Sequence, residues 1–227
     1  MNQRRSSRCT PRGRAIVFTA LGALSIVLSG CLSSSFAYFS HRSHGTVLYF
    51  KLPAKWTIFT AKQLVEASNG PLSQTQINQI EQGQWEMSFS AAPHPSSKQL
   101  IVENSSYPNG LVFAKQLSTN DRDGLSYASI RAEILGQDPL SSSSTSPFNV
   151  LNYNEFTRAG GYRGSRLVTN ISDAHGLIET FAQVVAVDPK TNFIYGLGIA
   201  CRASCWGPNS GLINQVLNAW NVKEQSR

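Results

Sequence analysis

The chain has 227 residues, and its 20 Lys and Arg against 13 Asp and Glu give a formal net charge of +7. Five arginines precede an apolar run at residues 15–30, and no acidic residue accompanies them: Arg4, Arg5, Arg8, Arg12 and Arg14. Without residues 1–30, 197 residues remain with a net charge of +2, enough for one domain with its own core. A net charge this close to zero, with no run of Lys and Arg after Arg14, gives no support for nucleic-acid binding, so we expect no nucleic-acid partner.

The apolar run at residues 15–30 predicts an export signal. A basic head, a short apolar body and a small-residue exit are the three parts of such a signal. As a helix the run would reach about 24 Å, which is short of the ~30 Å hydrocarbon core of a bilayer. A retained transmembrane helix stays open as the alternative, and in both cases the arginines remain inside while the rest of the chain crosses.

The end of this run predicts a lipid anchor. Leu28, Ser29, Gly30 and Cys31 resemble the bacterial lipobox, an aliphatic residue and two small residues before an obligatory cysteine. The resemblance implies that the Cys31 thiol carries a diacylglyceryl group (palmitate-type chains) and that residues 1–30 are removed. Two acyl chains suffice to hold a protein stably in the cell membrane, here on the extracytoplasmic side. A rival cut after Ala37, in the A-x-A manner, would instead release a soluble secreted protein without Cys31.

The remaining chain predicts a Ser-rich tether at residues 31–45, with His41 and His44 solvated, and one folded domain at residues 46–223. Hydrophobic alternation predicts early strands at residues 46–52, 56–59, 85–90 and 111–117. Thr60 and Ser73 predict the N-caps of two short helices. Asp121 or Asp123 predicts the cap of a third helix, over residues 125–135.

Four strand-like runs follow residue 149, and the turn-forming segments RAGG, SDAHG and DPKTN join them. Short connectors make neighbouring strands antiparallel. A last helix opens near Pro208, with one apolar stripe formed by Leu212, Ile213, Val216, Leu217 and Trp220. The sequence therefore predicts an α+β fold, an antiparallel β-sheet with helices packed on it.

Cys201 and Cys205 are the two cysteines that remain after the leader and the anchor. Outside the membrane such a pair oxidises, and residues four apart in a straight strand lie too far apart for a bridge. We therefore predict a tight turn at residues 202–204 closed by a Cys201–Cys205 disulfide, which stabilises the fold by about 2 kcal/mol. A redox or metal pair is the rival interpretation, but the spacing is CxxxC and no second pair accompanies it.

Four segments resemble the ectodomains of PsbP-like lipoproteins of high-GC Gram-positive bacteria: FKLPAKW, GYRGSRLV, ETFAQVVAVDPKTNFIYGLGIAC and INQVLNAWNV. The resemblance covers most of residues 46–222, although Lys55 stands where many relatives have glycine. It implies an α-β-α sandwich and a binding or scaffolding role more often than catalysis. It supplies no catalytic motif.

The sequence shows no GxSxG, SxxK, HExxH or Walker motif, so we expect no catalytic residue, metal site or cofactor. His94 and His175 are predicted to be solvated, as are Arg163 and Arg166 on one strand face. The leading hypothesis is a lipid-anchored binding protein for an envelope lipid, glycolipid or peptide. The alternatives are a scaffold subunit docking on a membrane protein complex and, behind it, an envelope hydrolase.

Overall fold

A computed structural model describes residues 35–69, 72–97, 105–141 and 146–225. The predicted signal peptide and the lipobox residues Leu28, Ser29, Gly30 and Cys31 lie outside the described residues. The strands are β1 (Phe36–Ser43), β2 (Thr46–Pro53), β3 (Thr57–Phe59), β4 (Gln84–Ser90), β5 (Asn109–Gln116), β6 (Phe148–Thr157), β7 (Arg163–Ser172), β8 (Ile178–Val187), β9 (Phe193–Arg202) and β10 (Asn221–Glu224). The helices are α1 (Ala61–Asn69), α2 (Gln74–Gly83), α3 (Thr119–Asp123), α4 (Tyr127–Ala132) and α5 (Ala203–Ala219).

The large sheet contains seven antiparallel strands in the order β3-β4-β5-β9-β8-β7-β6. Its last four strands are the runs predicted after residue 149, and their tight connections make them sequential neighbours as expected. The turn between β8 and β9 is held by Asp188, whose carboxylate accepts hydrogen bonds from the backbone N–H groups of Lys190, Asn192 and Phe193. The α+β class predicted from the sequence is confirmed.

A separate small sheet contains three strands in the order β1-β2-β10. The prediction of a tether at residues 31–45 is wrong for Phe36–Ser43, because this segment is a strand that pairs with β2 along its whole length. The two strands are joined at His44 and Gly45, whose φ angles of 50° and 77° fit the tight hairpin turns that match strand twist. The folded domain therefore begins at β1 and ends with β10, outside the predicted limits of 46–223.

Two apolar clusters cover the two faces of the large sheet. On one face, Leu48, Phe50 and Leu52 of β2 and Ile213, Val216 and Leu217 of α5 pack against Val112, Val184 and Leu197. On the other face, Ile130 of α4 packs with Phe113, Val185 and Ile194. Complete burial of one such aliphatic side chain contributes about 1.5–3 kcal/mol, so the larger cluster holds the small sheet and α5 in place.

The helices follow local signals with two exceptions. Ser73 and Gln76 form the predicted capping box of α2. The helix predicted over residues 125–135 is the shorter α4, which is capped by Ser126 rather than by Asp121 or Asp123. An additional short helix, α3, precedes it and is capped by Ser118. Helix α5 begins at Ala203, upstream of the predicted start at Pro208, since the disulfide turn leads directly into it.

Candidate functional site

Two groups of arginine–asparagine hydrogen bonds attach α5 and the start of β10 to the β6–β7 hairpin. We refer to Arg158, Arg166, Asn214, Asn218 and Asn221 as the Arg–Asn cluster. Arg166 Nη2 donates to Asn214 Oδ1 at 2.9 Å, and its Nη1 donates to Asn218 Oδ1. Arg158 Nη1 donates to Asn221 Oδ1 at 2.6 Å and to the Trp220 carbonyl at 3.1 Å. The cluster therefore joins the large sheet, the last helix and the small sheet.

The register of β7 explains the position of Arg166. It pairs with Val184 of β8 and Asn154 of β6, on the sheet face that packs against α5. Asn214 and Asn218 are four residues apart on α5, so they lie on one side of the helix and reach the same guanidinium group. Arg166 is half-buried and Arg163 is exposed, so the prediction of a solvated face is wrong for Arg166.

Arg158 is positioned by the turn between β6 and β7. Gly160 and Gly161 each have a φ of 81°, a conformation that glycine adopts without steric strain. The turn returns the chain so that Arg158 N–H donates to the Tyr162 carbonyl at 2.7 Å. The guanidinium then lies over the rings of Phe156 and Trp220, with 4.9 and 5.0 Å to their centroids. Such stacking fixes a cation without neutralising it.

The charge of these two arginines has no counter-ion in the part of the chain that the structure describes. Desolvation by partial burial lowers the pKa of both Arg158 and Arg166 below the usual arginine value. Arg131 provides the contrast, because it binds both carboxylate oxygens of Asp138 at 2.7 Å. That contact lowers the pKa of Asp138, as expected for a paired structural arginine. The Arg–Asn cluster lacks such a partner and is therefore suited to an external anion.

The hydrogen-bonding pattern of the cluster also favours an acceptor ligand. A guanidinium group only donates, so each asparagine must turn its Oδ1 towards the arginine and its Nδ2 amide away from it. Asn214, Asn218 and Asn221 are exposed, and Asn152 and Asn154 of β6 extend the amide-rich surface beside Arg166. Guanidinium and amide N–H groups together match the oxygens of a phosphate, a carboxylate or a sugar.

The predicted Cys201–Cys205 disulfide is present, with 5.9 Å between the Cα atoms. Cys201 ends β9, and Cys205 lies in the first turn of α5. The bridge therefore fixes the direction in which α5 leaves the sheet, at the opposite end of the helix from Trp220. It supports the cluster without belonging to it.

The histidines near the N-terminus correct the sequence analysis. His41 lies face to face with Trp85, and His44 stacks on Phe193 with 4.3 Å between ring centroids. Both were expected to be solvated in a tether. His41 is half-buried, so that prediction is wrong for it, whereas His44 is exposed as predicted but lies in a hairpin turn. His94 and His175 are exposed, as predicted.

Neither a metal site nor a membrane-spanning helix appears in the described ranges. No group of three or more His, Cys, Asp and Glu side chains there could hold a metal ion. No helix in those ranges is long and apolar enough to cross a bilayer.

No family model matches the chain, and no curated protein matches it. Among solved structures, the chain is similar to the cyanobacterial PsbP (CyanoP) of Synechocystis sp. PCC 6803, with 13% identity and a TM-score of 0.48 over 89% of this chain and 99% of that one. One matching structure is thus a PsbP protein. The chain is also similar to LpqN, involved in cell envelope biogenesis of Mycobacterium tuberculosis, with 14% identity and a TM-score of 0.43 over 83% and 91%. Neither similarity shows what this chain binds.

Sequence reasoning missed the Arg–Asn cluster because its members are far apart in the chain. Arg166 and Asn214 are 48 residues apart, and Arg158 and Asn221 are 63 apart. The spacing of Asn214, Asn218 and Asn221 next to the apolar stripe of α5 was the one visible signal. The spacing of these asparagines indicated a polar side of the last helix, but it did not identify the arginines that bind there.

Proposed function

We propose that the protein is a lipid-anchored binding protein on the extracytoplasmic side of the cell membrane, and that the Arg–Asn cluster binds the anionic head group of an envelope lipid or glycolipid. The supporting observation is the pair of half-buried guanidinium groups, Arg158 and Arg166, whose described hydrogen bonds all go to neutral oxygens. An anionic ligand would supply the missing charge and accept the outward-facing amide N–H groups.

The anchor is supported by the lipobox and by the position of β1. Cys31 precedes Phe36, the first residue of β1, by five residues. A fully extended chain spans about 3.4 Å per residue, so this connection reaches at most about 17 Å. Acyl chains on Cys31 would therefore keep the start of β1 within about 17 Å of the lipid head groups.

Native mass spectrometry of the full chain, purified in detergent, tests the head-group site. We expect phosphatidylglycerol adducts in preference to phosphatidylcholine adducts. A charge-assisted hydrogen bond contributes about 1.5–3 kcal/mol, so Arg166→Gln should weaken phosphatidylglycerol binding by roughly 10- to 100-fold. Arg163→Gln is the matched control, since this exposed arginine lies on the other face of the same strand. Equal binding by the two variants would show that the cluster is not the site.

A scaffold that docks on a membrane protein complex is the second candidate function. Its supporting observation is the apolar tip of the β7–β8 hairpin, where Leu177 and Ile178 are 47% and 43% exposed. Exposed neighbouring aliphatic side chains are typical of protein contacts. If this function is correct, Leu177→Ser with Ile178→Ser will reduce the size of the complex extracted in mild detergent without changing the stability of the protein.

A further inference from the structure

The small sheet has an outer face whose side chains point away from the large sheet. Leu48, Phe50 and Leu52 of β2 point into the core, so the alternate residues of β2 and their register partners lie on the other side. We define the outer face as Tyr38, Ser40, Arg42, Val47, Tyr49, Lys51, Asn221 and Lys223. Of these, only Val47 is buried, with 2% of its surface exposed, so the other seven positions form the accessible part of the face.

Three of these eight positions are cations, Arg42, Lys51 and Lys223, and none is acidic. The single carboxylate of the three strands, Glu224, pairs in register with Thr46 and so belongs to the opposite side. No ion pair within the described ranges involves the three cations. The outer face is therefore positively charged, although the chain without its leader is close to neutral.

Aromatic rings accompany these cations. Tyr38 is 72% exposed, which is the largest exposure among the large hydrophobic side chains of the described residues. Lys223 Nζ lies 5.0 Å from the centroid of the Tyr49 ring, and Lys51 Nζ lies 4.2 Å from that of Phe36 at the start of β1. Tyrosine with lysine or arginine is the combination that prefers the interface between water and lipid, where rings meet acyl chains and cations meet phosphates.

We propose that the outer face of the small sheet rests on an anionic phospholipid bilayer, and that this contact orients the domain. The proposal deepens the proposed function, since it relies on the anchor at Cys31 to bring β1 to the membrane. β1 contributes Tyr38 and Arg42, so the strand nearest the anchor is also part of the charged face. An anionic bilayer is the occupant that complements three cations without a carboxylate partner in the described ranges, beside aromatic rings of which Tyr38 is exposed.

The same orientation gives the Arg–Asn cluster access to the membrane surface. Arg158 binds Asn221, which is itself a residue of the outer face and the first residue of β10. The cluster therefore opens at the edge of the small sheet. A lipid head group would reach it from the bilayer without the lipid leaving the membrane.

Fluorescence quenching in proteoliposomes tests this orientation with the full, anchored chain. An environment-sensitive label is attached at Tyr38→Cys, or at Leu140→Cys as the control. Leu140 is 41% exposed and follows α4, on the opposite face of the large sheet. The vesicles contain brominated lipids in phosphatidylcholine, with or without phosphatidylglycerol. We expect stronger quenching at position 38 than at position 140, and only with phosphatidylglycerol.

Charge variants make the test specific. Each basic side chain at an anionic surface shifts such an equilibrium roughly fivefold, so Arg42→Gln, Lys51→Gln and Lys223→Gln together should reduce quenching at position 38 to the control level. The matched set Lys62→Gln, Arg163→Gln and Lys190→Gln should leave it unchanged. If the triple variant misfolds, added salt provides the test with the native arginine and lysines in place. Because salt screens the cations, it should lower the quenching at position 38.

The two proposals fail differently. Equal quenching at positions 38 and 140 in phosphatidylglycerol vesicles overturns the bilayer contact, even if mass spectrometry finds a diacylglyceryl group on Cys31. An unmodified Cys31 with quenching still specific to position 38 overturns the anchor and leaves the bilayer contact standing.

Discussion

The imidazole of His41 lies flat on the indole of Trp85, with 4.1 Å between ring centroids and 10° between ring planes. Trp85 is buried in the larger apolar cluster and also contacts Phe50 of β2. Burial lowers the pKa of His41 to about 4, so the ring is neutral at pH 7. The small sheet is therefore attached to the large sheet partly through a stack in which burial disfavours a charge on His41.

His41 should make the fold less stable in acid. Its folded-state pKa of about 4 lies below the unfolded value of 6.5. The unfolded chain therefore takes up a proton first, and stability is lost as the pH falls through this range. We expect a loss of about 1–3 kcal/mol, after allowance for the partial exposure of the ring. Urea denaturation at several pH values measures it.

His41→Phe retains a ring on Trp85 and should remove this part of the acid sensitivity. The difference in pH-dependent stability between the variant and the unmodified protein separates the contribution of His41 from that of the carboxylates. Burial raises the pKa of Glu86, so this carboxylate affects stability in the opposite direction as the pH falls. His175→Gln, in an exposed turn, is the control. Identical pH profiles for His41→Phe and the unmodified protein would contradict the prediction.

Arg166→Met should separate stability from binding. Methionine keeps the apolar stem and removes a half-buried charge that has no counter-ion in the described structure, so the free energy of unfolding should change by less than about 1 kcal/mol. Phosphatidylglycerol binding should fall as far as in Arg166→Gln. A loss of stability above about 3 kcal/mol would instead indicate that the guanidinium is a structural ion.

The disulfide should contribute to the stability of the mature fold. Cys201→Ala with Cys205→Ala removes a short closed loop, and we expect a loss of about 2 kcal/mol in the free energy of unfolding. Dithiothreitol should lower the urea midpoint of the unmodified protein by a similar amount and should not affect the double variant. An unmodified protein that is insensitive to the reductant would refute this prediction.

Alanine should lower the stability of the protein at Gly164 and raise it at Gly211. A Cβ at Gly164 would meet the Val185 carbonyl oxygen and would lie 2.8 Å from Ala186 Cα, and backbone atoms cannot easily yield. We expect Gly164→Ala to cost about 2–3 kcal/mol. Gly211 lies inside α5 with nothing within 4 Å of its Cβ position, so alanine there should add up to about 1 kcal/mol. Thermal unfolding of both variants measures these changes, and a gain for Gly164→Ala or a loss for Gly211→Ala would contradict the prediction.

The features predicted correctly depend on neighbouring residues. The strands after residue 149 are strand-like runs bounded by turn-forming segments, and the Ser73–Gln76 capping box needs only four consecutive residues. These features can be predicted because the residues that interact are close together in the sequence.

Most of the features that were missed depend on distant residues, and β1 is the exception, because a two-residue turn joins it to β2. Strand β1 resembles a Ser-rich linker until β2 pairs with it, and the His44–Gly45 turn was the overlooked local sign of that pairing. Strand β10 has four residues and pairs with a strand far earlier in the chain. Arg166 appears as an ordinary solvated strand residue, because only the packing of α5 on β7 brings Asn214 and Asn218 to it.

The pairing of β2 with both β1 and β10 has a consequence for biogenesis. A chain translocated from its N-terminus would deliver β1 and β2 early, while β10, which completes their sheet, emerges after the other described elements. Until then one backbone edge of β2 stays unpaired, and its apolar side lacks the helix that covers it. We expect the polypeptide to acquire protease resistance only after β10 has been released.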